Sequence, residues 1–340
     1  MKAKHTGMKA AAWILAGILG AGGGMYGMPR NVHAEDWEDG EHEEIEDSQE
    51  QGPAKGTYGS NIQWTLDAEN TLTVTGDGEI RDENIELSDE EAPWLDYANS
   101  IRKIVIGEGI TYIGYFAFAD CINVEEISMA DTVTDIGDYA FCGYEDHQHP
   151  EGECKGVKLK LSQSLETIGE SAFEALDVAS VELPDSVISI GDRAFYNCYT
   201  LHAFTIGENS QLQSLGKDSF VGCPLDQGEI DLPDTLQEIW CDVFENGAFS
   251  EKVVFSPNLW TLGTHAFDSN CTGLEKVFFT GDAPEIFDSP ESWDDEKVFP
   301  DTTTAIYYPK DNASWDDFDF SRLANNAQFI SYDAPEEIAN

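Results

Sequence analysis

The sequence predicts a repeat solenoid, mostly β. Its parallel sheet gains about one strand per repeat of 22–25 residues, with short turns or 3₁₀ pieces on the other side and a cap at each end. Three observations predict it. A phrase recurs seven times, an aliphatic residue, usually Gly, two variable residues, a small residue and Phe, ending at Phe118, Phe141, Phe173, Phe195, Phe220, Phe244 and Phe267. These Phe residues follow one another at 23, 32, 22, 25, 24 and 23 residues, the period of a leucine-rich repeat and too short for an independent domain. A strand-like pattern precedes most copies. A unit this small cannot bury its own apolar face, so neighbouring copies must stack into one continuous core.

Each element has a physical reason. Ile101, Ile104 and Ile106, then Val124, Ile127 and Met129, Val178, Val181 and Leu183, Leu201, Phe204 and Ile206, and Leu274, Val277 and Phe279 place apolar residues at strand spacing with one face inward. Stacked once per repeat, they are expected to form a single long sheet. A turn follows, as in Leu183-Pro184-Asp185-Ser186, where Pro presets φ and Asp can bond the local backbone. The Gly of the phrase permits close backbone packing, and the Phe column fills the core.

The run Leu183–Phe195, Leu-Pro-Asp-Ser-Val-Ile-Ser-Ile-Gly-Asp-Arg-Ala-Phe, resembles the BspA-type (treponemal) leucine-rich repeat, and the likeness extends over residues 101–285. The flanks resemble the family too. Trp64-Thr65-Leu66 and Leu72-Thr73-Val74 around Asp67–Asn70 read as a hairpin, Ala92-Pro93-Trp94 leads into the first repeat, and Ala305-Ile306-Tyr307-Tyr308-Pro309 resembles a closing strand. Open strand edges at the ends of a solenoid must be covered, so residues 55–100 are expected to form an N-terminal β-rich cap and residues 286–340 a C-terminal cap and tail.

Residues 1–34 read as a signal peptide: Lys2, Lys4 and Lys9 supply a basic start, Ala10–Gly27 is apolar and Gly-rich, and Val32-His33-Ala34 suits a signal peptidase. Residues 35–54 follow as an acidic linker, expected to be disordered because they hold almost no apolar residue. Removing the four cations of residues 1–34 takes the formal charge from −48 to −52. Such a field repels phosphate backbones and anionic lipid, so nucleic-acid binding is excluded, the mature chain is not expected to insert in a membrane, and cationic partners are welcome.

Little in the sequence points to chemistry. Cys121, Cys198 and Cys223 recur three residues after the repeat Phe and Cys271 four after, a structural column that suits buried thiols. The insertion behind the 32-residue spacing holds Cys142, His147, His149 and Cys154. A solvated loop, a disulfide from Cys142 to Cys154, and a zinc site of these four ligands all stand open, in that order. No nucleophile elbow, His-Glu-x-x-His or phosphate loop occurs, and no cofactor is expected.

The outward sheet columns are more telling. One reads Lys103, Glu126, Lys158, Ser180, Ala203, Glu229, Lys252, Lys276; its neighbour reads Val105, Ser128, Lys160, Glu182, Thr205, Asp231, Val254, Phe278. Lys252, Val254, Lys276 and Phe278 thus gather into an apolar and basic spot on an acidic molecule, a candidate partner-binding site unless the C-terminal cap folds over it. The resemblance implies a secreted or cell-surface adhesin toward host matrix glycoproteins or other cells; mucins are included among the expected partners, and the chain is expected to be monomeric and, lacking the motifs above, without catalysis. An alternative is a secreted glycan-binding accessory of polysaccharide or protein degradation, with Trp240 and Trp260 stacking on sugars.

Overall fold

The computed structural model describes residues 53–81, 92–119, 121–143, 156–289 and 297–333. The signal peptide and nearly all of the acidic linker lie outside them, as do His147, His149 and Cys154. Ala54, the last residue assigned to the linker, already opens the first strand, Ala54–Tyr58.

Successive coils stack as parallel strands, and the apolar spacing accounts for the first sheet. In Lys103–Ile106 and Glu126–Met129 the alternate residues Ile104, Ile106, Ile127 and Met129 are buried, while Lys103, Val105, Glu126 and Ser128 face out. The two strands pair in register with one another, and Glu126–Met129 pairs in turn with Lys158–Lys160. At the N-terminal end the antiparallel strands Ala54–Tyr58, Ile62–Leu66 and Thr71–Gly76 join the same six-stranded sheet, so the hairpin covers an edge that would otherwise template aggregation.

The first sheet is not one long ladder as expected. Ser180–Leu183 pairs only with Ala203–Ile206, tied to the preceding sheet by a lone bridge between Val157 and Val178. The next coil, carrying Glu229 and Asp231, forms no strand there: Leu225 and Gly228 adopt left-handed φ of 42° and 94° between Pro224 and Pro233, which breaks the extended run. Pairing resumes in a four-stranded sheet of Lys252–Phe255, Lys276–Phe279, Ala305–Pro309 and Gln328–Tyr332.

The continuous ladder runs instead through the Ile-Gly phrase, which the sequence reading assigned to turns. Nine short strands, from Gly78–Ile80 through Asp135–Ile136 and Ser189–Ile190 to Glu285–Phe287, form an unbroken second sheet. Beyond it the coils turn on a non-glycine residue two positions after the Gly, or after Trp240 in its place, and all seven, Phe116, Tyr139, Ser171, Arg193, Asp218, Asp242 and His265, hold φ between 51° and 57°. The turn aims their amides along the solenoid: Tyr139 N–H donates to the Glu170 carbonyl at 2.8 Å and Arg193 N–H to that of Lys217 at 2.7 Å. Bonds to the next coil offset a left-handed conformation that costs roughly 1–2 kcal/mol per residue.

The Phe column is the core. Phe118, Phe141, Phe173, Phe195, Phe220 and Phe244 stack with centroids 5.1–5.6 Å apart and planes within 15° of parallel, and each amide donates to the small residue before the next Phe. Trp94 begins the column, 5.4 Å from Phe118 with its indole N–H donating to the Ala117 carbonyl. At the other end Phe267 stacks on Phe299, whose coil continues past residue 285 through Glu285–Phe287 and Val298.

Candidate functional site

The four candidate residues lie on the outward face of the C-terminal four-stranded sheet. Register places Lys252 beside Lys276 and Val254 beside Phe278, and continues the apolar row through Tyr307 to Ile330. Val254 is 37% exposed, whereas Phe278 is only 6% exposed. Of the two alternatives, cover by the C-terminal cap holds for Phe278, while Val254 stays open to solvent. Tyr307 lies flat against its ring at 4.2 Å with planes 4° apart, and Tyr332 packs into the same small cluster.

The cations are held rather than loose. Lys252 Nζ sits 5.1 Å from the Phe278 ring centroid, a cation–π contact. Lys276 bonds Glu251 at 2.5 Å, which raises the ammonium and lowers the carboxyl relative to their ordinary values, each through the hydrogen bond first and then the opposite charge. Tyr332 donates its hydroxyl to the Phe279 carbonyl at 2.8 Å, and burial raises that hydroxyl. The site is an aromatic row with one exposed aliphatic end and a basic margin. Sequence reasoning missed Tyr307, Ile330 and Tyr332; strand alternation within Ala305–Pro309 could have supplied the first.

A second aromatic group lies on the other sheet. Trp240 and Phe287 stand where the phrase elsewhere has Gly, on either side of Gly263, and their rings meet at 5.1 Å. A Cβ on Gly263 would sit 2.3 Å from the Cys241 amide nitrogen, so only glycine fits between them. Trp260, 59% exposed, precedes the adjacent strand. At the opposite end Tyr115, Phe116 and Tyr139 form a half-buried aromatic cluster, with Tyr139 donating to Glu170 at 3.0 Å. Burial, with the Glu170 charge adding to it, pushes that hydroxyl well up.

The thiols behave as structure. Cys198 and Cys223 are fully buried and donate to the carbonyls of Phe173 and Phe195, at 3.2 and 3.0 Å, one coil earlier. Burial, with Cys223 beside it, holds the Cys198 thiol well above its ordinary value, and burial likewise raises Cys241, so neither offers a thiolate nucleophile. Cys142 is half-buried and donates to the Gly143 carbonyl; its proposed partners lie outside the described residues. Among the described residues no group of three or more His, Cys, Asp or Glu side chains is arranged to hold a metal ion, and no helix is long and apolar enough to cross a membrane.

The coil stack, the Phe column and the outward aromatic row define a leucine-rich-repeat solenoid built to present surfaces. The profile of the BspA type leucine-rich repeat region matches residues 95–149 and 166–289 in six copies, more than half of the sequence, and the chain belongs to that family. Its repeats are protein-interaction modules. Among solved structures, a leucine-rich repeat protein from Eubacterium ventriosum is similar at 19% identity and a TM-score of 0.42, covering 83% of this chain and 86% of that one. The pneumococcal vaccine antigen PcpA matches at 14% identity and a TM-score of 0.40, over 82% and 78% of the two chains. A leucine-rich cell surface protein from Faecalibacterium prausnitzii matches at 16% identity and a TM-score of 0.31, over 83% and 96%. No curated protein matches the chain.

Proposed function

We propose that the chain is an exported, non-catalytic adhesion module, monomeric, secreted or held at the cell surface, that binds a protein or glycoprotein on host matrix, mucin or another cell. The observation that carries this reading is the row Val254, Phe278, Tyr307 and Ile330 with Lys252 and Lys276 beside it, an apolar strip with a basic margin on a chain of formal charge −48. Such strips supply the few anchors that dominate an interface, and here Val254 is the anchor that reaches solvent while Phe278 and Tyr307 form its floor. Export rests on the basic start, apolar stretch and Val32-His33-Ala34 of residues 1–34, with residues 35–54 as a spacer.

The test is a surface-plasmon-resonance screen of residues 35–340 against matrix proteins, mucins and glycans, repeated with Val254→Asp and with Lys252→Ala/Lys276→Ala. The exposed Val254 tolerates the change in the fold, so a tenfold or greater loss of affinity with an unchanged melting temperature supports the reading. A partner bound equally well by Val254→Asp removes it.

A second reading, a glycan-binding accessory of polysaccharide or protein degradation, has one observation in its favour, the exposed indole of Trp260. Saccharide binding on a glycan array that disappears in Trp240→Ala and Trp260→Ala would establish it.

A further inference from the structure

The two sheets differ in charge. The outward columns on the first-sheet side carry Lys103, Lys158 and Lys160 in the six-stranded sheet and Lys252 and Lys276 in the C-terminal four-stranded sheet. Across all nine strands of the second sheet, no strand residue is Lys, Arg or His. The polar side chains of those strands are hydroxyls and carboxylates, and at the C-terminal end Phe287 and, just ahead of strand Thr261–Gly263, Trp260 are exposed.

Register and sequence gather two carboxylates and three aromatic residues at this end of the sheet. Glu238, Thr261 and Glu285 stand side by side on three neighbouring strands, so the two carboxylates flank the buried Thr261 about 9–10 Å apart, twice the strand spacing. Trp260 immediately precedes Thr261, and the Trp240–Phe287 pair lies three residues further along the strands, about 10 Å away. Glu238 is fixed in place, its Oε2 accepting from the Trp240 indole and from the Ser214 hydroxyl, each at 3.3 Å. Of the cations on that side, Arg322 bonds the Ile286 carbonyl and pairs with Asp288, and Lys217, one coil back, acts on Cys241 beside Trp240. An exposed indole and an aromatic pair beside two carboxylates suit a cation more than a neutral ring, because each group attracts positive charge.

We propose that this end of the second sheet is a docking site for a basic, arginine-bearing extended segment of a protein partner. A guanidinium lies on the Trp260 indole and donates to Glu238 or Glu285, and the aliphatic part of the next basic side chain packs on Trp240 and Phe287. The charge of the whole molecule draws such a segment in, and the aromatics decide where it settles. The site does not depend on the first-sheet surface proposed above.

The experiment is isothermal titration of the full-length protein with deca-arginine, deca-lysine, deca-glutamate and a neutral xylo-hexasaccharide, at low salt and at about 0.15 M. Any chain this acidic attracts a polycation at low salt, so the variants carry the decision. Trp260→Ala, at an exposed position, should weaken deca-arginine about threefold to fivefold at the higher salt, the worth of one exposed cation–π contact. Glu238→Gln/Glu285→Gln should weaken it further, deca-lysine should bind less tightly than deca-arginine, and Ile122→Ser, at an exposed position in the N-terminal part of the solenoid, should leave all of these unchanged. Deca-arginine bound equally by wild type and Trp260→Ala overturns the site, leaving only bulk charge attraction. Hexasaccharide binding that requires Trp260, or no arginine binding at the higher salt, overturns the choice of ligand.

Discussion

Phe278 and Tyr307 lie face to face on adjacent strands, centroids 4.2 Å apart and planes 4° from parallel. That contact turns an outward column into a second, minor core, because Tyr332 closes the same cluster from the last strand. Phe278 thus sits under the interaction surface and supports it.

Phe278→Ala is therefore expected to act on stability first. Losing a stacked aromatic pair forfeits about 0.5–1.5 kcal/mol beyond its area burial, and the released strands lie at the C-terminal end of the sheet. Hydrogen exchange should quicken in Lys276–Phe279, Ala305–Pro309 and Gln328–Tyr332 while the middle coils stay protected. Unchanged exchange in those three strands would contradict the packing role.

In the middle of the solenoid the consequence is larger. Phe195 stacks between Phe173 and Phe220 and meets the edge of Phe204, wholly buried. Phe195→Ala should cost roughly 3–5 kcal/mol. Denaturant titration should show a lower midpoint, and a midpoint equal to wild type would mean that this column is not the core.

The residues that made the fold legible are these same Phe side chains, since a large apolar residue at a fixed period has one use in a stacked coil. The second sheet was not legible for an equally physical reason. Its strands are mostly two residues long, too short for an alternation to register, and what permits them is the absence of a side chain at Gly. Phe299 escaped notice because the stretch from Phe287 to Lys297 separates it from the Ile286 of its own coil. For the site, the outward position of Lys252, Val254, Lys276 and Phe278 followed from strand alternation, but exposure depends on the next strands. Ile330 and Tyr332 belong to a strand that the repeat phrase does not mark.

Burial of the thiols carries a pH dependence. The folded state holds the Cys198 proton well above the ordinary thiol value near 9, and Cys241 is raised as well. Unfolded chains release these protons first, so the stabilisation is complete below about pH 9 and is lost as pH climbs from there toward the folded values. Melting temperature should fall as pH rises above about 9, and Cys198→Ala should flatten part of that fall. Iodoacetamide should label Cys198 slowly in the native protein at pH 8 and rapidly in guanidinium; fast native labelling would show that the column opens.

Close approach of the coils gives the sharpest contrast between two glycines. A Cβ on Gly191 would lie 2.7 Å from the Gly169 carbonyl carbon and 2.8 Å from the Glu170 nitrogen, both backbone atoms of the second sheet that no side-chain rotation can move. A Cβ on Gly207 would come even closer, 2.2 Å, but to Oδ1 of Asp185, the end of an exposed side chain that can swing away. Distance alone would rank Gly207→Ala as the worse change. The identity of the obstructing atom reverses the order, because a packed backbone relaxes only by shifting the whole coil, at about 1–3 kcal/mol for overpacking, whereas a solvated carboxylate finds another rotamer at a fraction of that. Gly191→Ala should lower the denaturation midpoint clearly, and Gly207→Ala should leave it within about 0.5 kcal/mol of wild type, as surface changes usually do. Equal losses in the two variants would mean that the coils can separate locally, and that the glycine column is not what sets their spacing.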